Sequence, residues 1–124
     1  MLAAGAVKTE KIRLTSAVSV LSSLDPIRVY QQYATIDALS NGRAEVMAGR
    51  GSFIESFPLF GYDLKDYEEL FDEKLDLLLY ASAETRLNWK GKLTQTIDNR
   101  EVYPRAVQET LPVWVATGGN VEST

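Results

Sequence analysis

The segment DPIRVYQQYATIDALSNGRAEVMAGRG, residues 25–51, carries the signals for one helix followed at once by one strand. Asp25 is a favourable N-cap, and the proline after it suits the first helical position. The helix is predicted over about 26–40, where apolar side chains recur at spacings of three and four, and Gly42 suits the left-handed position after its end. The apolar strand at 44–49 follows without a linker. This order favours an α/β protein.

Further elements are predicted on both sides of this segment. They are an Ala-rich helix at 2–11, a strand at 12–21, a helix at 64–84 and a strand at 112–117. Strands that alternate with helices predict βαβ units and a parallel sheet. The intervening region, about 85–110, is polar and irregular, with a short hairpin expected around Lys90-Gly91.

The helix at 64–84 combines an apolar stripe with many acidic residues. The stripe is predicted to consist of Leu64, Tyr67, Phe71, Leu75 and Leu78. The carboxylates between them could suggest a metal site or acid–base work, but they are spread around successive turns and are assigned to a solvated helix face. Glu45, in the middle of an apolar strand, is expected to face an arginine or solvent, and Asp37 and Arg43 could form a structural pair.

Composition excludes several classes of function. The chain has 124 residues, which favours a single domain over 1–124, and a net charge of −4, which gives no reason to expect nucleic acid or an anionic membrane as a partner. It contains no Cys and no His. A Ser-His-Asp triad, a cysteine nucleophile and the usual zinc ligands are therefore excluded, and no metal site is predicted. No secretory signal or membrane span is recognised, so a cytoplasmic location is expected.

Two glycine-containing turns follow predicted strands. The first is Gly49-Arg50-Gly51, in which the glycines could let the backbone approach an anion while Arg50 forks onto a phosphate. The second is Thr117-Gly118-Gly119, where backbone N–H groups at a helix start could bind an anion. Each could equally be an ordinary turn with a solvated side chain. Both nevertheless lie at the same end of parallel strands, where α/β proteins bind ligands.

The segment SFIESFPLFGYD between the second strand and the next helix is rich in aromatic residues. Phe53, Phe57, Phe60 and Tyr62 could form a lid over an apolar substrate. They could instead be buried beneath the following helix, and the residue pattern leaves both possibilities open.

Two long stretches closely resemble the bacterial luciferase-like monooxygenase family. They are SAVSVLSSLDPIRVYQQYATIDALSNGRAEVMAGRGSFIESFPLFGYDL and YPRAVQETLPVWVATGG, which occur in the family's order and spacing. The resemblance implies a flavin-dependent (β/α)8 barrel, of which this chain is expected to be an internal fragment. It would hold the second to fifth βα units, that is, three consecutive parallel strands with flanking helices.

The resemblance also implies a cofactor site. FMN, or F420 as an alternative, would have its phosphate held by Gly49, Arg50 and Gly51 after one strand and by Thr117, Gly118 and Gly119 after the next. The family pattern further implies a non-prolyl cis peptide at Ala17-Val18, beneath the flavin ring. No residue is assigned a catalytic role.

Three functional hypotheses follow. The first is a flavin-dependent oxidoreductase in which reduced flavin and O₂ oxidise a small organic substrate. The second is a non-catalytic barrel fragment that covers its open sheet edges by forming a homo-oligomer, in which strands could be swapped. The third, a small doubly wound nucleotide-binding module, would be opposed by three strands paired in sequential order.

Overall fold

The computed structural model describes residues 1–53 and 55–118, which form a three-stranded parallel sheet with helices packed on one face. The elements in chain order are α1 Leu2–Lys8, β1 Ser19–Val20, α2 Pro26–Ser40, β2 Val46–Gly49, α3 Ser56–Leu59, a 3-10 turn at Leu64–Asp66, α4 Tyr67–Ala83, β3 Arg86–Trp89, β4 Ile97–Glu101 and β5 Val113–Val115. Within the described part of the chain, no helix combines the length and apolar character needed to cross a bilayer.

The sheet has the order β1-β2-β5, and both strand pairs are parallel. The parallel strands are therefore neighbours in the order in which the chain visits them, as in a barrel wall. This order confirms the predicted α/β barrel segment and opposes the doubly wound alternative. The first strand is shorter than expected, because before Ser19 only an isolated bridge between Leu14 and Ala44 pairs it with its neighbour. The predicted non-prolyl cis peptide between Ala17 and Val18 is present.

Helix α2 begins and ends where its local signals predict. The Asp25 carboxylate accepts a hydrogen bond from the backbone N–H of Arg28 at 3.0 Å, which satisfies one unpaired donor of the first turn. At the other end both Asn41 and Gly42 have positive φ, 56° and 85°. The buried face of α2 packs against Ala44, just before β2, and against Val46 and Ala48 in β2.

Helix α4 buries only part of the predicted stripe, namely Phe71 and Leu78, with Leu75 packed against the core. Its buried residues are Leu70, Phe71, Lys74, Leu77, Leu78, Ala81 and Ser82. Leu64 is 44% exposed because the α-helix proper starts only at Tyr67, after the 3-10 turn. A lysine at the centre of the stripe could not be predicted from a hydrophobic pattern.

The region between α4 and β5 contains the antiparallel hairpin β3–β4, which confirms the hairpin predicted around Lys90-Gly91. The Glu73 carboxylate on α4 accepts hydrogen bonds from the backbone N–H groups of Lys92, Leu93 and Thr94 at 2.9–3.0 Å. Burial opposes ionisation of Glu73, but the hydrogen bonds from the Thr94 hydroxyl and these N–H groups outweigh it and lower the pKa of the carboxyl group. One carboxylate thus fixes the hairpin turn to the helix.

Two arginines cap helices at the edge of the sheet where the strands begin. Arg43, ahead of β2, donates through Nη2 to the carbonyl oxygens of Ala6 and Thr9 at the end of α1, at 2.9 and 2.7 Å. Arg105, ahead of β5, donates to three carbonyl oxygens at the end of α4. Each guanidinium satisfies carbonyl groups that a helix leaves without partners, and each carries its positive charge to the negative end of the helix.

Candidate functional site

A cavity of about 340 Å³ opens at the carboxyl ends of β2 and β5. Six of the eight predicted cofactor-binding residues line it, namely Val18, Gly49, Arg50, Gly51, Thr117 and Gly118. The two turns that the sequence placed at one end of the sheet therefore meet in one cavity. Gly119, the eighth residue, lies outside the described residues, as does the predicted helix start after it. The role of these residues in binding a cofactor stays a prediction.

Gly49 and Gly51 are required by packing within the sheet. A Cβ atom at Gly49 would lie 2.5 Å from Cγ2 of Val18, and one at Gly51 would lie 2.7 Å from Cγ1 of Val20. Gly51 also has a φ of 82°, a conformation that a side chain strains. The space that a Cβ would fill is occupied by valine side chains of β1 and the residues before it. The glycines thus let two neighbouring strands approach closely at the floor of the cavity.

Arg50 is held against α4 at the rim of the cavity. Its guanidinium carbon lies 4.4 Å from the centre of the Phe71 ring, and its Nε donates to Oε2 of Glu68 at 2.9 Å. The side chain is 19% exposed. Among the described residues no hydrogen bond to its two Nη atoms is found, so these donors remain available to a ligand.

The loop after β2 is fastened to the same helix. Tyr67, the first residue of α4, donates its hydroxyl to the carbonyl oxygen of Gly51 at 3.1 Å. Helix α4 therefore contributes three neighbours of the candidate site: Tyr67, Glu68 and Phe71. None of the three was predicted from the sequence to belong to the site. The signal that could have found them is the position of α4, since the first turn of a helix that follows a parallel strand lies at the strand's carboxyl end.

A second cavity of about 400 Å³ adjoins the first and shares Val18, Gly51 and Ser52 with it. Ala17, the remaining predicted cofactor-binding residue, lines this second cavity together with Val20 and other residues. The lining also includes Phe53, which is 78% exposed. The cavity at Arg50 thus adjoins a second cavity at the same end of the sheet.

The aromatic residues of the loop after β2 do not all follow one of the two predicted alternatives, a lid over a substrate or burial beneath the following helix. Phe57 is buried and packs on the rings of Tyr62 and Tyr67, at centroid distances of 6.5 and 5.4 Å. Phe53 and Phe60 are exposed. Phe57 is therefore buried, as the second alternative predicts, while Phe53 borders the second cavity.

The face of the sheet turned away from the helices carries a polar network nearer the start of the strands. Glu45 forms an ion pair with Nε of Arg13 at 2.6 Å and accepts a hydrogen bond from the indole Nε1 of Trp114 at 2.8 Å. The expectation that Glu45 faces an arginine is thus confirmed. Trp114 is 57% exposed on this face.

The acidic residues near the start of α4 have individual partners and do not converge. Glu68 pairs with Arg50, Glu69 with Lys92, and Glu73 binds the hairpin turn. Among the described residues, no group of three carboxylates is arranged to hold a metal ion. The described site is therefore a cavity whose single cation is Arg50, beside a second cavity of similar size.

Comparison with known proteins gives a family match over almost the whole chain. The family model described as luciferase-like monooxygenase matches residues 1–123. A relative from Amycolatopsis mediterranei, an F420-dependent glucose-6-phosphate dehydrogenase, is 27% identical over 118 residues, which cover 92% of this chain and 35% of the relative.

Two solved structures share the fold. The monooxygenase RslO1 from Streptomyces bottropensis superposes with a TM-score of 0.88 at 27% identity, over 98% of this chain and 37% of that protein. The oxygenating constituent of 3,6-diketocamphane monooxygenase from Pseudomonas putida, solved in complex with FMN, gives a TM-score of 0.77 at 15% identity, over 94% and 35% of the two chains. The present chain thus spans about a third of the length of the proteins it matches.

Proposed function

This chain belongs to the luciferase-like monooxygenase family, and from that premise we propose that it forms the phosphate-binding part of a flavin-dependent oxidoreductase. The observation that carries the proposal is the meeting of Arg50 with Thr117 and Gly118 in one cavity at the carboxyl ends of neighbouring parallel strands. FMN is the proposed cofactor, since one structural neighbour was solved with it. F420 is the alternative, since one relative is named for it.

The residues of the cavity fit such a group. Arg50 lines the cavity with its Nε engaged by Glu68, and no hydrogen bond to its two Nη atoms is found among the described residues, so both could donate to phosphate oxygens. The lining at Gly118 is open, because a Cβ atom there would have no neighbour within 4 Å among the described residues. Val18 and Val20 give the adjoining cavity apolar walls suited to a ring system.

In this proposal the protein binds and orients the cofactor. Arg50 would hold the phosphate, Thr117 and Gly118 would enclose it, and Ala17 and Val18 would lie beneath the flavin ring. The bound flavin would supply the redox chemistry, with O₂ as co-substrate and a small organic molecule as the compound oxidised. Phe53 would help to shield the ring from water.

The proposal is tested by titrating FMN into the wild-type chain, Arg50→Ala and Arg50→Lys while following flavin fluorescence. Loss of a charged, two-point contact is expected to weaken FMN binding of Arg50→Ala by about tenfold to a hundredfold. Arg50→Lys keeps the charge but not the fork, so its affinity is expected to lie between the two. Arg13→Ala is the matched control, because that arginine pairs with Glu45 nearer the other end of the strands.

Unchanged FMN affinity in Arg50→Ala would rule out the anchoring role. Riboflavin, which lacks the phosphate, provides an internal check. Its affinity should not depend on the residue at position 50, and an equal loss for both flavins would indicate a general disruption of the site.

A second proposal concerns assembly. Trp114 and Val115 are 57% and 43% exposed on β5, and both outer strands of the described sheet have an unpaired edge. These features support a homo-oligomer in which the copies cover each other's open sheet. Light scattering after size-exclusion chromatography tests this proposal, and a monodisperse monomer at micromolar concentration would refute it.

A further inference from the structure

Glu68 is the one acidic side chain among the described residues that line the cavity at Arg50. It lies in the first turn of α4, and its Oε2 accepts the hydrogen bond from Nε of Arg50 at 2.9 Å. The Glu68 side chain is 68% exposed, whereas that of Arg50 is 19% exposed. The only described cation in the lining thus has a resident carboxylate as its partner.

The position of Arg50 does not depend on this carboxylate. The guanidinium lies over the Phe71 ring at 4.4 Å, and its side chain is largely buried. An exposed carboxylate restrains a partner only weakly, because solvent screens the pair. Packing against Phe71 therefore fixes the orientation of Arg50, and Glu68 contributes mainly its charge.

That charge opposes the ligand that Arg50 is suited to bind. A phosphomonoester carries between one and a half and two negative charges, roughly, at neutral pH. Bound at the Nη atoms of Arg50, it would share one guanidinium with the Glu68 carboxylate. Two negative groups bound to the same guanidinium, the phosphate and the Glu68 carboxylate, repel each other. Added salt weakens this repulsion.

We infer that Glu68 determines the charge preference of this site: it weakens the binding of a phosphorylated flavin while leaving an unphosphorylated flavin unaffected. The inference rests on the proposed function, since it concerns the same site. It assigns to Glu68 a role in ligand discrimination that is separate from holding Arg50 in place.

The test compares Glu68→Gln with Glu69→Gln. The two glutamates are adjacent in the first turn of α4, but Glu69 pairs with Lys92 and does not line the cavity. Removal of the charge at position 68 is expected to tighten FMN binding by about threefold to tenfold at low salt. The gain should shrink at 0.5 M NaCl, and riboflavin affinity should not change. Glu69→Gln should resemble the wild-type chain with both flavins.

The outcomes separate this inference from the proposed function. Weaker or unchanged FMN binding in Glu68→Gln, with normal binding by the wild-type chain, overturns the inference alone. An equal gain in Glu69→Gln also overturns it, because the effect would then come from net charge at the helix start. If neither the wild-type chain nor Glu68→Gln binds FMN, both the inference and the proposed function are refuted. Matching thermal unfolding curves establish that the variants are folded.

Discussion

Replacing Lys74 by methionine is expected to remove a pH dependence of stability that the wild-type chain owes to this one buried amine. Lys74 Nζ donates to the carbonyl oxygen of Ser22 at 2.7 Å and to the hydroxyl of Tyr62 at 3.0 Å, and the residue is 2% exposed. Burial lowers the pKa of Lys74 from 10.5 to about 8, and the nearby Asp25 carboxylate offsets only part of that effect.

The sign follows from proton binding in the two states. Between the folded pKa near 8 and the unfolded value of 10.5, the unfolded chain binds more protons at this residue than the folded chain. The free energy of unfolding therefore rises with pH over this interval. At 1.36 kcal/mol per pKa unit, the contribution of Lys74 between pH 7 and pH 9.5 is about 2 kcal/mol.

Urea unfolding at several pH values from 7 to 9.5 measures this contribution. The wild-type chain is compared with Lys74→Met and Lys90→Met. Lys90 is exposed, so its substitution provides the matched control and should leave the wild-type slope unchanged. Lys74→Met also removes two hydrogen bonds, so the slopes with pH are compared and not the absolute stabilities. If the free energy of unfolding changes with pH equally in Lys74→Met and the wild-type chain, the pKa of Lys74 is not lowered by burial.

Two further predictions concern packing and the hairpin. Glu73→Gln is expected to destabilise the chain by about 1–3 kcal/mol and to speed amide hydrogen exchange at 92–94, because a charged acceptor of three N–H groups is lost. Since the pKa of Glu73 is lowered, its stabilising effect should be present at neutral pH and lost as the pH falls through the folded-state pKa. Exchange unchanged at 92–94 would contradict this role. Gly49→Ala is expected to cost about 1–3 kcal/mol in urea unfolding because its Cβ would meet Val18, and the combination with Val18→Ala should recover part of that loss. Full stability of Gly49→Ala alone would refute the close approach.

The sequence predicted best where the determining residues lie close together in the chain. The bounds of α2 came from Asp25 at its start and the turn after its end, all local signals. The alternation of strands and helices placed both glycine turns at one end of a parallel sheet, and the parallel strand order confirms that arrangement. The cis peptide at Ala17-Val18 was likewise carried over by resemblance, since composition and periodicity contain no signal for it.

Side-chain partners distant in sequence were predicted poorly. Asp37 and Arg43 were considered a pair, but Asp37 is buried and accepts hydrogen bonds from Gln108 and from the backbone N–H of Ala44. Arg43 instead caps α1. The partner of Arg50 lies 18 residues away on α4, and the choice between Glu68 and its acidic neighbours depends on helix rotation, which periodicity fixes only approximately.

The arginine caps at Arg43 and Arg105 have a consequence for how this fold can change. Both lie at the end of the strands opposite the cavity, where they fasten α1 and α4 to the connections that enter β2 and β5. These two arginine caps are thus separated by the length of a strand from the loops that line the cavity. Substitutions in those loops can alter the ligand without releasing either clamp. The loops at the carboxyl ends of the strands, around Arg50, are therefore the part of the fold in which a new binding specificity can be selected.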